Sequence, residues 1–162
     1  MKIDRFTVAG LGGTFDHLHE GHYFLLKTAL KVAKKVIVGL TADAMLKNKA
    51  HMEYLQPYEI RQQKIIEFVD TFTNSARVSF VPLSDPFGPA ITSDEMEALV
   101  ISTETLPNAE KINQIRTERN LQPVVLVVIP ILPNRDGKKL SSTEIRTKLA
   151  GKRTRKKSKK RT

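Results

Sequence analysis

Three histidines fall close together in this chain of 162 residues, His17, His19 and His22, inside the run Gly12-Gly13-Thr14-Phe15-Asp16-His17-Leu18-His19-Glu20-Gly21-His22. Imidazoles set among small residues can hydrogen-bond an anion, ligate a metal, or merely cap a helix. A zinc site needs a third or fourth ligand. The chain has no cysteine, and its one further histidine, His51, is distant in sequence, so no metal ligand set is expected. The anion reading has more support, because a helix that starts at Gly21 and His22 turns free N–H groups and the positive end of its dipole toward an incoming phosphate. Gly12 and Gly13 are expected to allow backbone conformations and close approaches that a β-carbon would block.

A second stretch of the same kind lies about 120 residues later, Leu140-Ser141-Ser142-Thr143-Glu144-Ile145-Arg146. Ser141 followed three residues on by Glu144 fits a capping box, so one hydroxyl can be consumed structurally. The other hydroxyls and the N–H groups remain free for phosphate, and Arg146 in the next turn can grip a phosphate through two parallel donors.

Elements must exist to hold these residues. Phe6 to Leu11 is apolar and β-branched enough for a buried strand, and Tyr23, Leu26, Leu30 and Ala33 then recur at helical steps with Lys27, Lys31, Lys34 and Lys35 opposite them. Lys35 to Thr41 reads as a second buried strand, which makes a βαβ unit and a parallel sheet. Thr41-Ala42-Asp43 opens a short helix toward Lys47, Lys49 and His51 at the carboxyl end of that strand, where open α/β sheets bind ligands. Pro57 suits the first turn of a helix reaching about Phe72. Further strands are expected at Ala76–Pro82, Ala98–Ile101 and Val124–Ile129, with a helix from about Pro107 to Asn120. The turn-rich Ser84–Pro89 should lack regular structure. The expected fold is α/β, a Rossmann-like five-stranded parallel sheet with helices on both faces.

Charge divides the chain in two. The formal net charge is +10, yet Gly151–Thr162 holds eight Lys or Arg and no acid, leaving 19 basic against 17 acidic residues in residues 1–150. The chain therefore reads as a nearly neutral domain, 1–150, followed by a basic tail, 151–162, that cannot pack a core. The tail is a solubilising segment or a nonspecific contact for RNA, DNA and other polyanions. No apolar run approaches the roughly 20 residues of a membrane helix, and the start MKIDRF has no signal-peptide core. No membrane contact and a cytoplasmic location are expected, with the oligomeric state unread.

His19-Glu20-Gly21-His22, preceded by Gly13-Thr14-Phe15-Asp16, resembles the H-x-G-H signature of the nucleotidyltransferase superfamily, and Leu140 to Arg146 resembles its I-S-S-T-x-I-R motif. Val100-Ile101-Ser102-Thr103-Glu104-Thr105 with Asn108-Ala109-Glu110-Lys111-Ile112-Asn113 is similar to the helix entry of the archaeal-type phosphopantetheine adenylyltransferases. That resemblance spans about residues 3 to 149. It implies transfer of AMP from ATP to 4′-phosphopantetheine, with magnesium, releasing pyrophosphate. It implies that His19 and His22 are catalytic hydrogen-bond donors, and that Gly13, Thr14, Phe15, Gly21, His22, Ser141, Ser142, Thr143 and Arg146 surround the nucleotide. Thr14 and either Lys47 or Lys49 would meet the acceptor phosphate, Lys47 lying nearer the strand. Arg61, in Glu59-Ile60-Arg61, matches an arginine of related enzymes and serves a ligand or a structural salt bridge. The alternatives are another member of the superfamily, cytidylyl-transferring or forming FAD or NAD, and a nucleic-acid-binding protein suggested by the tail alone.

Overall fold

A computed structural model describes residues 5–46 and 54–131. Lys47, Lys49, His51 and the whole of Leu140–Arg146 lie outside the described residues, as does the basic tail.

Five strands, β1 (Phe6–Gly13), β2 (Ala33–Thr41), β3 (Val78–Leu83), β4 (Ala98–Ser102) and β5 (Val125–Ile129), form one sheet in the order β3-β2-β1-β4-β5. Every neighbouring pair is parallel. Helix α1 (Glu20–Val32) joins β1 to β2, α2 (Tyr58–Asp70) precedes β3, and α3 (Leu106–Glu118) joins β4 to β5.

The period-two alternation of the strands divides their side chains between two cores. Ala9, Leu11, Val36, Val38, Ala98 and Val100 pack with Leu26 and Ala29 of α1 and Ile65 and Val69 of α2. On the opposite face Leu99 and Ile101 pack with Ala109 and Ile112 of α3 and with Ala90 and Met96. Helices therefore cover both faces, as expected. No helix among the described residues is long and apolar enough to cross a membrane.

Several element ends differ from the sequence reading. Ala33 belongs to β2 rather than to the helix, with an extended backbone at φ −134° and ψ 151°. Helix passes directly into strand there because the Arg77 guanidinium, from beside β3, donates to the carbonyls of Leu30 at 2.7 Å and Ala33 at 2.8 Å, the groups that a helix end leaves open. Strand β3 starts at Val78, not Ala76, since Ser75–Arg77 forms a 3-10 turn capped by Asn74. The segment after β3 is not wholly irregular. Asp85 Oδ1 accepts the N–H groups of Phe87 and Gly88 at 2.8 and 2.7 Å, and Gly88–Ile91 forms a 3-10 turn. Gly88 has φ +52°, a conformation that favours glycine.

The sheet's order places its switch point at β1, where one set of crossovers runs toward β3 and the other toward β5. Pairing of β1 with β4 is confined to Ala9↔Ala98 and Gly10↔Leu99, so the two strands part toward their carboxyl ends. A ligand cleft belongs there.

Candidate active site

A cleft of about 280 Å³ opens at this place, lined by Gly12 and Gly13 of β1, Gly39 and Thr41 of β2, Leu83 of β3 and Ser102 of β4. Phe87, Pro89 and Met96 form an apolar wall, and Asp85, Thr105 and Asn108 supply polar groups. Asn108 Nδ2 donates to the Pro86 carbonyl at 3.1 Å and ties α3 to this wall. Gly12 and Gly13 have ordinary strand backbone, in contrast to the freedom expected of them. A β-carbon at Gly12 would meet only Leu83 and the Gly39 carbonyl, at 3.5 and 3.6 Å. Bare Gly12 widens the cleft, while Gly13 makes the close approach expected of it, since a β-carbon there would stand 3.2 Å from the Phe15 ring.

The unusual backbone lies two residues later. Phe15 at φ 52° and His17 at φ 46° both adopt left-handed conformations without being glycine, each at a cost of about 1–2 kcal/mol. The surroundings hold them there. Phe15 is buried, with its ring centroid 5.2 Å from that of His22. Asp16 is fully buried and accepts the Gln56 N–H at 2.9 Å. The His17 N–H donates to Gln56 Oε1 at 3.0 Å, and His17 Nε2 lies 2.7 Å from the Tyr54 carbonyl oxygen. The loop is thus clamped onto the segment before α2.

Helix α1 begins as the spacing suggests, with His19 as its N-cap and Gly21 and His22 in its first turn. The cap has an unexpected composition. His19 Nδ1 accepts the Gly21 N–H at 3.1 Å, while His22 Nδ1 accepts the His19 N–H at 3.3 Å, making a reciprocal capping box from two imidazoles. The Gly21 N–H, expected to be free for an anion, is therefore paired in this structure. Gly21 also makes room for the cap, since a β-carbon there would stand 2.9 Å from His19 Cε1.

The box fixes the chemistry of both rings. A nitrogen that accepts an N–H carries no proton, so each neutral ring must bear its hydrogen on Nε2. The rings stack with centroids 3.8 Å apart and planes 28° apart. Two cations at that separation would repel by about 4 kcal/mol at an effective dielectric of 20. Burial and the neighbouring His19 push His22 down to about 3 from its ordinary 6.5. Burial also lowers His19, partly offset by Glu20. At neutral pH the helix start presents two uncharged rings whose free donors are their Nε2–H groups.

Among the described candidates, Gly13, Thr14, Phe15, His19, Gly21 and His22 therefore share one loop and helix start, and of these Gly13 lines the cleft. Arg61 is buried against the same loop and donates to the Thr14 carbonyl at 2.9 Å, the structural alternative of its two expected roles. Asp43, whose Oδ1 accepts from Arg61 at 2.7 Å, carries no signal of this role in the sequence. Neither does Gln56. Among the described residues no group of three His, Cys, Asp or Glu is placed to hold a metal ion.

Comparison with known proteins agrees with this geometry. The sequence model of the cytidylyltransferase-like family matches residues 11–148. A phosphopantetheine adenylyltransferase of Methanopyrus kandleri is 40% identical over 144 residues, covering 89% of this chain and 91% of that protein. One of Saccharomyces cerevisiae is 38% identical over 148 residues, which cover 88% of this chain and 48% of that longer protein. A crystal structure of a protein of unknown function from Archaeoglobus fulgidus has a TM-score of 0.66 and 29% identity, covering 83% of this chain and 99% of that one. With relatives so similar over nearly its whole length, this chain belongs to the phosphopantetheine adenylyltransferases, within the cytidylyltransferase-like nucleotidyltransferases.

Proposed function

We propose that the chain transfers AMP from ATP to 4′-phosphopantetheine, giving dephospho-coenzyme A and pyrophosphate. The observation that carries this reading is the pair of neutral imidazoles locked into the N-terminus of the α-helix that follows β1, the strand whose end at Gly12 and Gly13 lines the cleft. A phosphate oxygen of the acceptor attacks the α-phosphorus of ATP in line, and the bond from that phosphorus to the bridging oxygen of pyrophosphate breaks. The reaction requires no nucleophilic side chain. The protein's contribution is to position two polyanions and to meet the charge that spreads over the transferring group.

His19 and His22 would supply Nε2–H donors to the triphosphate and the transition state, with Gly13, Thr14, Phe15 and Gly21 shaping the loop around the nucleotide. Neutral donors suit this role, because they stabilise the oxygens without losing a proton as the reaction proceeds. Thr14 and Lys47 or Lys49 would orient the attacking phosphate. Ser141, Ser142, Thr143 and Arg146 would hold the β and γ phosphates through hydroxyls and a bidentate guanidinium. Magnesium, entering as part of the ATP complex, would supply charge neutralisation on the phosphates that these residues hold. The cleft's apolar wall, with Asp85, Ser102 and Asn108 among its polar groups, suits an arm that alternates methylenes with amides.

On this reading residues 1–150 are the catalytic domain, working in the cytoplasm, and 151–162 are a basic tail outside the chemistry. The direct test of the donors is His22→Ala and His19→Ala in purified protein. Loss of a transition-state donor should lower turnover by about two to three orders of magnitude. Unchanged turnover in folded variants would remove both roles.

A further inference from the structure

Arg61 carries its charge with none of its surface exposed, and its three acceptors belong to three separate stretches of chain. Nε donates to the Gln56 carbonyl at 2.9 Å, one terminal nitrogen to the Thr14 carbonyl at 2.9 Å, and the other to Asp43 Oδ1 at 2.7 Å. Thr14 lies in the loop after β1, Asp43 opens the 3-10 turn Asp43–Leu46 after β2, and Gln56 leads into α2. Asp43 is engaged twice, since its Oδ2 also accepts the Tyr58 N–H at 3.4 Å. Gln56 is engaged on both sides too, receiving the His17 N–H and donating to Asp16.

This is more than an ion pair. A guanidinium is a rigid fork, so three acceptors bound to it are held at one mutual geometry, which an ammonium on a flexible stem cannot impose. The ends of β1 and β2 are thereby fixed relative to each other at the side of the sheet where the cleft opens. Arg77 makes an instructive contrast. It also bonds several carbonyls, those of Lys34, Leu30 and Ala33, but around the beginning of β2, at the opposite end of the strands from the cleft.

We propose that Arg61, with Asp43 as its counter-ion, is a positioning residue for the acceptor phosphate, setting Thr14 against the turn that follows β2. The inference rests on the reading of Thr14 as a contact of the attacking phosphate. Neither Arg61 nor Asp43 touches a reacting atom. Their effect is geometric: misplacement by about 1 Å of a group that orients a reactant lowers rates by up to roughly 10²-fold.

The test compares Asp43→Asn, Arg61→Lys and Arg77→Lys in the full chain, measuring thermal midpoint, kcat, and KM for ATP and for 4′-phosphopantetheine separately. The Asp43 side chain is 57% exposed, so Asn in its place keeps the shape and leaves folding intact even where Arg61→Lys does not fold. Both site variants should lower kcat/KM for the acceptor by about 10-fold or more, with a smaller change in KM for ATP, whose loop Thr14 also borders. Arg77→Lys should lower the midpoint and leave both KM values alone. The proposal is overturned if Asp43→Asn leaves the acceptor parameters unchanged, or if it alters both substrates in equal proportion. Wild-type protein inactive toward 4′-phosphopantetheine would instead sink the functional reading, a result seen before any variant is made.

Discussion

Gly21→Ala separates the stability of the helix start from its chemistry. Gly21 does not have a left-handed backbone, so alanine imposes no strain on the main chain, and alanine is favoured over glycine in helices by up to about 1 kcal/mol. Its β-carbon would, however, lie 2.9 Å from His19 Cε1 and 3.1 Å from Nδ1, where ordinary contact begins at 3.4 Å. The ring must yield by about half an ångström, weakening the cap that is worth about 1 kcal/mol and disturbing its stack on His22. The two stability terms nearly cancel, leaving the unfolding free energy from denaturant titration within about 1 kcal/mol of wild type. Turnover should nevertheless fall about 10-fold, since a donor displaced by half an ångström loses part of the up to 10²-fold that follows from a full ångström. A double-mutant cycle decides the cause. In a His19→Ala background the added Gly21→Ala should cost nothing further in kcat. An equal loss in both backgrounds would refute the steric argument and show that the glycine admits the ligand itself.

Protonation of the imidazole pair gives a signed pH dependence. His22 is held near 3 against 6.5 in its ordinary state, so between those values the unfolded chain binds a proton that the folded chain refuses. The contribution is complete above about pH 6.5 and is lost as pH falls toward 3, with a slope of up to about 1.4 kcal/mol per pH unit from this group; His19 adds in the same direction. Denaturant unfolding from pH 7 to pH 4 should show a shallower loss in His22→Gln than in wild type, and equal slopes would contradict the assignment. For the tail, a chain ending at Gly151 should keep its turnover while losing most of its binding to RNA or heparin at low salt. Loss of activity on that truncation would place the tail in the site.

The sheet is legible in the sequence because each strand declares itself locally, through apolar and β-branched runs bounded by turn formers. The switch point and its cleft follow from the same strands. What escapes is whatever depends on residues far apart in the chain. Ala33 continues the helical spacing of Tyr23, Leu26 and Leu30, yet it begins β2 because Arg77 donates to the helix's last carbonyls from 44 residues away. In the site the H-x-G-H spacing locates a helix start, but nothing in it announces that the two imidazoles cap each other. Special backbone is expected at Gly12 and Gly13, the residue type that adopts it most readily, whereas burial and a second segment hold Phe15 and His17 in left-handed conformations instead. The motif around Arg61 singles it out. Its partners Thr14, Asp43 and Gln56 emerge only in three dimensions.

The central claim is the identity of the acceptor. Purified protein with ATP and magnesium should be offered 4′-phosphopantetheine, FMN, nicotinamide mononucleotide or glycerol 3-phosphate, with CTP in parallel, and pyrophosphate release followed for each pair. A site with fixed polar contacts rejects analogues that leave those groups unpaired by roughly 10⁴-fold, so 4′-phosphopantetheine with ATP should dominate the panel plainly. A dominant signal from FMN, from nicotinamide mononucleotide or from any CTP pair would contradict the assigned acceptor or nucleotide, and release from no pair would contradict the enzymatic account as a whole.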